Sequence, residues 1–220
     1  MRLSLTLLIG LGLGLGPGGF AEAQDSLTYR QGPTAEDSAD CPTAGPPARA
    51  AHSEFAMLRG EPQMRISEPM RRALAAHAPG FTPPKLADYA PDVAALAGSP
   101  CYLPLFGTVG DFNGDGQVDA ALIGHDAVNE LLVALLSVGS QYSVIELIRG
   151  PRYSSPLVRP IVTYLTYSGP GAVEVPDQLR EPSAPAPILR HDGFVSNYDA
   201  QASTLYYWSG REFEGVLVGD

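Results

Sequence analysis

Leu131-Leu132-Val133-Ala134-Leu135-Leu136-Ser137-Val138-Gly139-Ser140-Gln141-Tyr142-Ser143-Val144-Ile145-Glu146-Leu147-Ile148-Arg149 decides the fold class. Two apolar runs, 131–138 and 142–149, flank Gly139-Ser140, and a short Gly-containing break between β-prone runs signals a tight hairpin. The same grammar repeats outward from this point. Upstream, 102–109 and 118–124 are short apolar runs bounded by turn residues, and they read as strands. Downstream, 157–167 is β-rich, and Pro160 points to an edge or a bulge because proline cannot donate to a ladder. Residues 169–190 carry Pro170, Pro176, Pro182, Pro185 and Pro187 and read as a long surface excursion. Runs 194–198, 202–208 and 212–218 close the chain, with Ser209-Gly210 as the last turn. Successive hairpins predict an antiparallel meander.

One segment breaks this β pattern. In Ser67-Glu68-Pro69-Met70-Arg71-Arg72-Ala73-Leu74-Ala75-Ala76-His77-Ala78-Pro79-Gly80, Ser67 or Glu68 can cap, Pro69 suits the first turn and Pro79-Gly80 stops a helix. Met70, Leu74 and His77 fall on one face, so the helix can cover a sheet. The expected class is α+β, mainly antiparallel β-sheet with one covering N-terminal helix. Residues 66–220 form one domain in this reading. Residues 24–65 are Pro-, Ala- and Gly-rich and read as an irregular arm, with a helical turn expected around 54–58.

The 220 residues suit a single core, and 45% hydrophobic with 17% charged residues is a globular composition. Fourteen basic against 24 acidic residues give a net charge of −10, which lacks the basic footprint that nucleic acid or an anionic membrane surface requires. Residues 1–23 have the organisation of a secretory signal peptide: Arg2, an apolar run, then Ala21-Glu22-Ala23. Glycines and Pro17 interrupt the apolar run, so no membrane anchor is expected after cleavage, and the mature protein is expected in the periplasm or outside the cell. In an oxidising compartment Cys41 and Cys101 have one connectivity open to them, a disulfide, against the alternative of two buried thiols.

The chemistry concentrates in Gly110-Asp111-Phe112-Asn113-Gly114-Asp115-Gly116-Gln117-Val118-Asp119-Ala120. Asp111, Asn113 and Asp115 alternate, so a curled loop turns their side-chain oxygens towards one centre. Gly116 supplies the positive φ of the turn, Gln117 offers its carbonyl and Asp119 its carboxylate. Oxygen ligands at positions 1, 3, 5, 7 and 9 suit a hard cation, Ca²⁺ before Mg²⁺. A polar β-turn explains the glycines, but it leaves three crowded carboxylates without a counter-charge. Position 12 is Leu122, where an EF-hand places a bidentate Glu, and the flanking sequence is β-like.

The run 110–123 resembles the calcium loop of FG-GAP and VCBS repeats. That resemblance implies Ca²⁺ ligation by Asp111, Asn113, Asp115, the Gln117 carbonyl and Asp119, on a loop between β-strands. The chain carries one copy, whereas such repeats usually occur several to a chain and build propellers; a propeller is therefore not expected. The segment 203–213 resembles a terminal hairpin of exported bacterial proteins that carry one such loop.

Other constellations are weaker. His52, His77, His125 and His191 are scattered without ligand-pair spacing. His191-Asp192 with Ser203 can be drawn as a triad, but no nucleophile elbow surrounds Ser203. Tyr206 and Trp208 share a strand face, either packed in the core or forming a candidate partner surface for a protein or carbohydrate. The reading is an exported, soluble calcium-binding module without catalysis. The alternative is a calcium-dependent periplasmic hydrolase, for which the chain offers no convincing acid–base pair.

Overall fold

The computed structural model describes residues 55–58, 61–97, 104–151, 160–176, 178–179, 186–198 and 202–219. The expected signal segment, Cys41 and Cys101 lie outside the described residues. Strands β1 (Phe55–Leu58) and β2 (Glu61–Met64) pair antiparallel, Phe55 opposite Met64 and Leu58 opposite Glu61. The helical turn expected around 54–58 is therefore a hairpin arm. Two four-residue runs flank Arg59-Gly60, and that spacing favours a two-residue hairpin over a helix, which needs a longer run.

Helix α1 (Glu68–His77) forms where its caps place it. The Ser67 side chain accepts from the Met70 amide, Pro69 occupies the first turn, and Met70 and Leu74 are buried. An N-cap of this kind is worth about 1 kcal/mol. The C-terminal His77 approaches Glu146 at 3.5 Å. A 3-10 turn at Leu86–Asp88 and a short helix α2 (Pro91–Leu96) follow, and Val93 of α2 packs in a small cluster with Tyr89, Ala90 and Leu105.

The first four-stranded sheet holds β3 (Gly107–Gly110), β4 (Asp119–His125), β5 (Asn129–Val138) and β6 (Gln141–Pro151), all antiparallel and in chain order. The β5–β6 turn closes on the Val138–Gln141 pair, as Gly139-Ser140 predicts. Residues 131–137 are all buried. Alternate strand residues point to opposite faces, so β5 is covered on both sides and the sheet is the middle layer. Helix α1 lies against β6 and β5.

Strands β7 (Thr163–Ser168), β8 (Gly171–Ala172), β9 (Ile188–Leu189), β10 (Gly193–Tyr198), β11 (Ala202–Trp208) and β12 (Phe213–Gly219) complete the chain. Four of them form the second sheet, in the order β12-β11-β10-β7. β7 is an edge strand, in line with the position of Pro160, and β8–β9 is a small ladder inside the proline-rich excursion. Just before β3, the Leu105 carbonyl accepts the Leu165 N–H of β7 at 2.8 Å. Leu165 and Phe194 share one core with Met70, Leu74 and the β4–β5 residues. The architecture is α+β, built of antiparallel hairpin sheets. Among the described residues no helix is long and apolar enough to cross a membrane.

Candidate metal centre

The loop at 111–118 joins β3 to β4, and Asp119 opens β4. Asp111 organises the loop. Its Oδ1 accepts the amides of Gly114 (2.8 Å) and Asp115 (3.0 Å), and its Oδ2 accepts that of Gly116 (2.9 Å). Gly114 and Gly116 supply the left-handed backbone this curl needs, with φ of 77° and 79°. Gly114 has a second constraint, since a Cβ there would overlap the His191 ring.

Asn113 Oδ1 accepts the Asp115 amide at 3.0 Å, and its Nδ2 donates to the Ser137 carbonyl at 2.8 Å. Asp115 Oδ1 accepts the Gln117 amide at 2.9 Å. Asp119 is fully buried; its Oδ2 accepts from the Phe112 amide and its Oδ1 from the Ser137 amide, at 2.8 and 2.7 Å. The Ser137 hydroxyl lies 2.8 Å from both Asp115 Oδ2 and Asp119 Oδ1. A hydroxyl has one hydrogen to donate, so the two carboxylates share a single proton donor.

Burial pushes the Asp119 carboxyl up to about 6, against the pull of the amides that bond it. Desolvation also acts on Asp115, but the Gln117 amide and the Ser137 hydroxyl outweigh it and hold this carboxyl below its ordinary range. Asp115, Asp119 and Asn113 are thus brought together around Ser137. Asp111 faces the loop's own amides, and Gln117 lies at the exposed end, its amide turned to Asp115. Among the described residues no group of three or more His, Cys, Asp or Glu side chains forms a ready ligand shell. Each ionised carboxylate nevertheless has about four lone-pair sites. Asp111 uses three of its sites on amides.

The donor set is all oxygen and suits a hard cation. Asp115 and Asp119 meet at the Ser137 hydroxyl, and a cation beside it would offset the charge of both carboxylates.

Four residues, Ser137, Phe112, Asp192 and Tyr167, support the loop in a role that sequence reasoning did not assign them. Ser137 is the lone hydroxyl in the apolar run of β5, and that isolation was its signal. Phe112 is fully buried between the sheets, its ring 5.2 Å from Phe194 and 6.2 Å from Phe213. Asp192 accepts the Asp111 amide on Oδ2 at 2.8 Å and the Tyr167 hydroxyl on Oδ1 at 2.7 Å. Burial and the Asp192 charge raise the Tyr167 hydroxyl's pKa well above its usual value.

The drawn triad does not assemble. His191 lies over Gly114, Asp192 serves Asp111 and Tyr167, and the Ser203 hydroxyl donates to Asn197 Oδ1 at 3.1 Å. Tyr206 and Trp208 are half-buried and pack against the core, Tyr206 stacked on Phe194 and Trp208 edge-on to Phe213. Tyr207 points to the other face, where its hydroxyl donates to Glu214 at 2.6 Å.

Comparison with protein-family models, with curated proteins and with solved structures finds no match. The likeness to FG-GAP and VCBS repeats therefore rests on the loop alone.

Proposed function

We propose that residues 111–119 hold a structural Ca²⁺ in an exported, non-catalytic binding module of the periplasm or the extracellular space. The observation that supports this most is the curl of the loop. Asp111 gathers three successive amides, which turns Asn113 and Asp115 towards the Ser137–Asp119 pair. The ligands in this reading are Asp111, Asn113, Asp115, the Gln117 carbonyl and Asp119. The cation would neutralise three carboxylates and hold β3 and β4 to the adjoining end of β5. The module's partner would be a protein or a carbohydrate, and Tyr206 and Trp208, half-buried against the core, are its candidate surface.

Thermal unfolding with calcium and with chelator tests the reading. At calcium about 100 times Kd the folded state gains roughly 2.7 kcal/mol, seen as a raised Tm, and Mg²⁺ gives less. Asp115→Ala is expected to erase the difference between the calcium and chelator curves. Coincident curves for the unsubstituted protein would overturn the proposal.

A further inference from the structure

At the end of β4 away from the 111–119 loop, a cleft of about 210 Å³ opens between the two sheets. The register sets its walls. Ile123, Leu132 and Ile148 are cross-strand partners and form one apolar row; His125, Glu130 and Gly150 form the next row of the same face. Thr163 of β7 and Ser196 of β10 line the opposing wall, and Ser196 is only 8% exposed. Asp88 is also part of the lining, held in its 3-10 turn by a 2.8 Å bond from the Lys85 amide to Oδ2. The described lining includes two carboxylates, Asp88 and Glu130, but no Lys or Arg.

We infer that this cleft binds a small amphiphilic amine, its apolar body on the Ile123–Leu132–Ile148 row and its ammonium between Asp88 and Glu130. Three features carry the inference. The volume is roughly seven waters, so the occupant is smaller than a drug-sized ligand. The floor is apolar, which favours a hydrocarbon body. Among the described lining residues the carboxylates are the only side chains charged at neutral pH, so an ammonium is attracted, a carboxylate is repelled and an alcohol gains little. The Thr163 and Ser196 hydroxyls offer further acceptors on the far wall. The site is independent of the loop, and occupancy does not require calcium.

The test is an NMR titration of the full chain with cyclohexylmethylamine, with cyclohexylmethanol as neutral isostere and cyclohexanecarboxylate as anion, in chelator and again in calcium. The amine is expected to saturate with a Kd near 1 mM, as befits a ligand of about eight heavy atoms. Its perturbations should map to Ile123, Leu132 and Ser196 in both media. Glu130→Gln and Asp88→Asn should each weaken the amine about threefold and leave the alcohol unchanged. Ile148→Trp, at a half-exposed position, should block both. Equal affinity for amine and alcohol, perturbations mapped elsewhere, failure to saturate, or amine binding unaltered in the carboxamide variants would each overturn the inference. Because the chelator arm is read separately, loss of the calcium proposal leaves this result standing.

Discussion

Gly114 and Gly116 share a backbone conformation but differ in surroundings, and the difference separates two costs. Both have a positive φ, 77° and 79°. Around Gly116 nothing lies within 4 Å of a built Cβ, so Gly116→Ala carries only the left-handed penalty, about 1–2 kcal/mol. At Gly114 a Cβ meets the His191 ring, and moving a packed ring adds about 1–3 kcal/mol. Urea unfolding should therefore rank Gly114→Ala below Gly116→Ala; equal midpoints would show that His191 does not seat on the loop. The alternation of Asp111, Asn113 and Asp115 and the glycine positions were legible in the sequence because they are local. The Ser137 and Asp192 contacts were not, since they span 18 and 81 residues and depend on strand register and sheet packing.

Among elements, the caps and turns of α1 and the β5–β6 hairpin were readable for the same local reason: Ser67, Pro69 and Gly139-Ser140 act within a few residues. Helix α2 went unread although Pro91 and Asp92 begin it, because its six residues are too few to show a period. The β4–β5 turn supplies a pH test. Asp126 Oδ1 accepts the amides of Val128 and Asn129, both at 2.7 Å, and Arg149 of β6 lies 3.6 Å away. The Val128 amide foremost, then the Asn129 side chain, hold its carboxyl at about 2. A depressed folded-state pKa gives stability that is present above the ordinary carboxylate range and lost as the pH falls through the folded value. Asp126→Asn should thus flatten the fall of the urea midpoint between about pH 4 and pH 2. An acid limb identical in the two proteins would remove Asp126 from the account.

For the whole molecule, a sequence of successive hairpins reveals antiparallel pairing but not how many sheets the strands make. That number depends on where the chain leaves one ladder, and here the break falls between β6 and β7. Among the ties between the two sheets is the polar Asp111–Asp192–Tyr167 chain. Tyr167→Phe should cost about 1–2 kcal/mol and Asp192→Ala about 2 kcal/mol. Because both act on one network, the double variant should fall short of their sum by at least about 0.5 kcal/mol in chemical denaturation; strict additivity would mean that the contact does not tie the sheets. Phe112 is the apolar counterpart of this tie, and it constrains the order of assembly. During synthesis its aromatic side chain emerges about eighty residues before Phe194 and a hundred before Phe213. A nascent chain with its first ladder finished would still present Phe112, and the apolar sheet face that Leu165 and Phe194 later cover, to water. Phe112 reaches its full set of ring partners only once β10 and β12 have been made, so until then its ring stays among the apolar surface that the unfinished polypeptide shows to solvent.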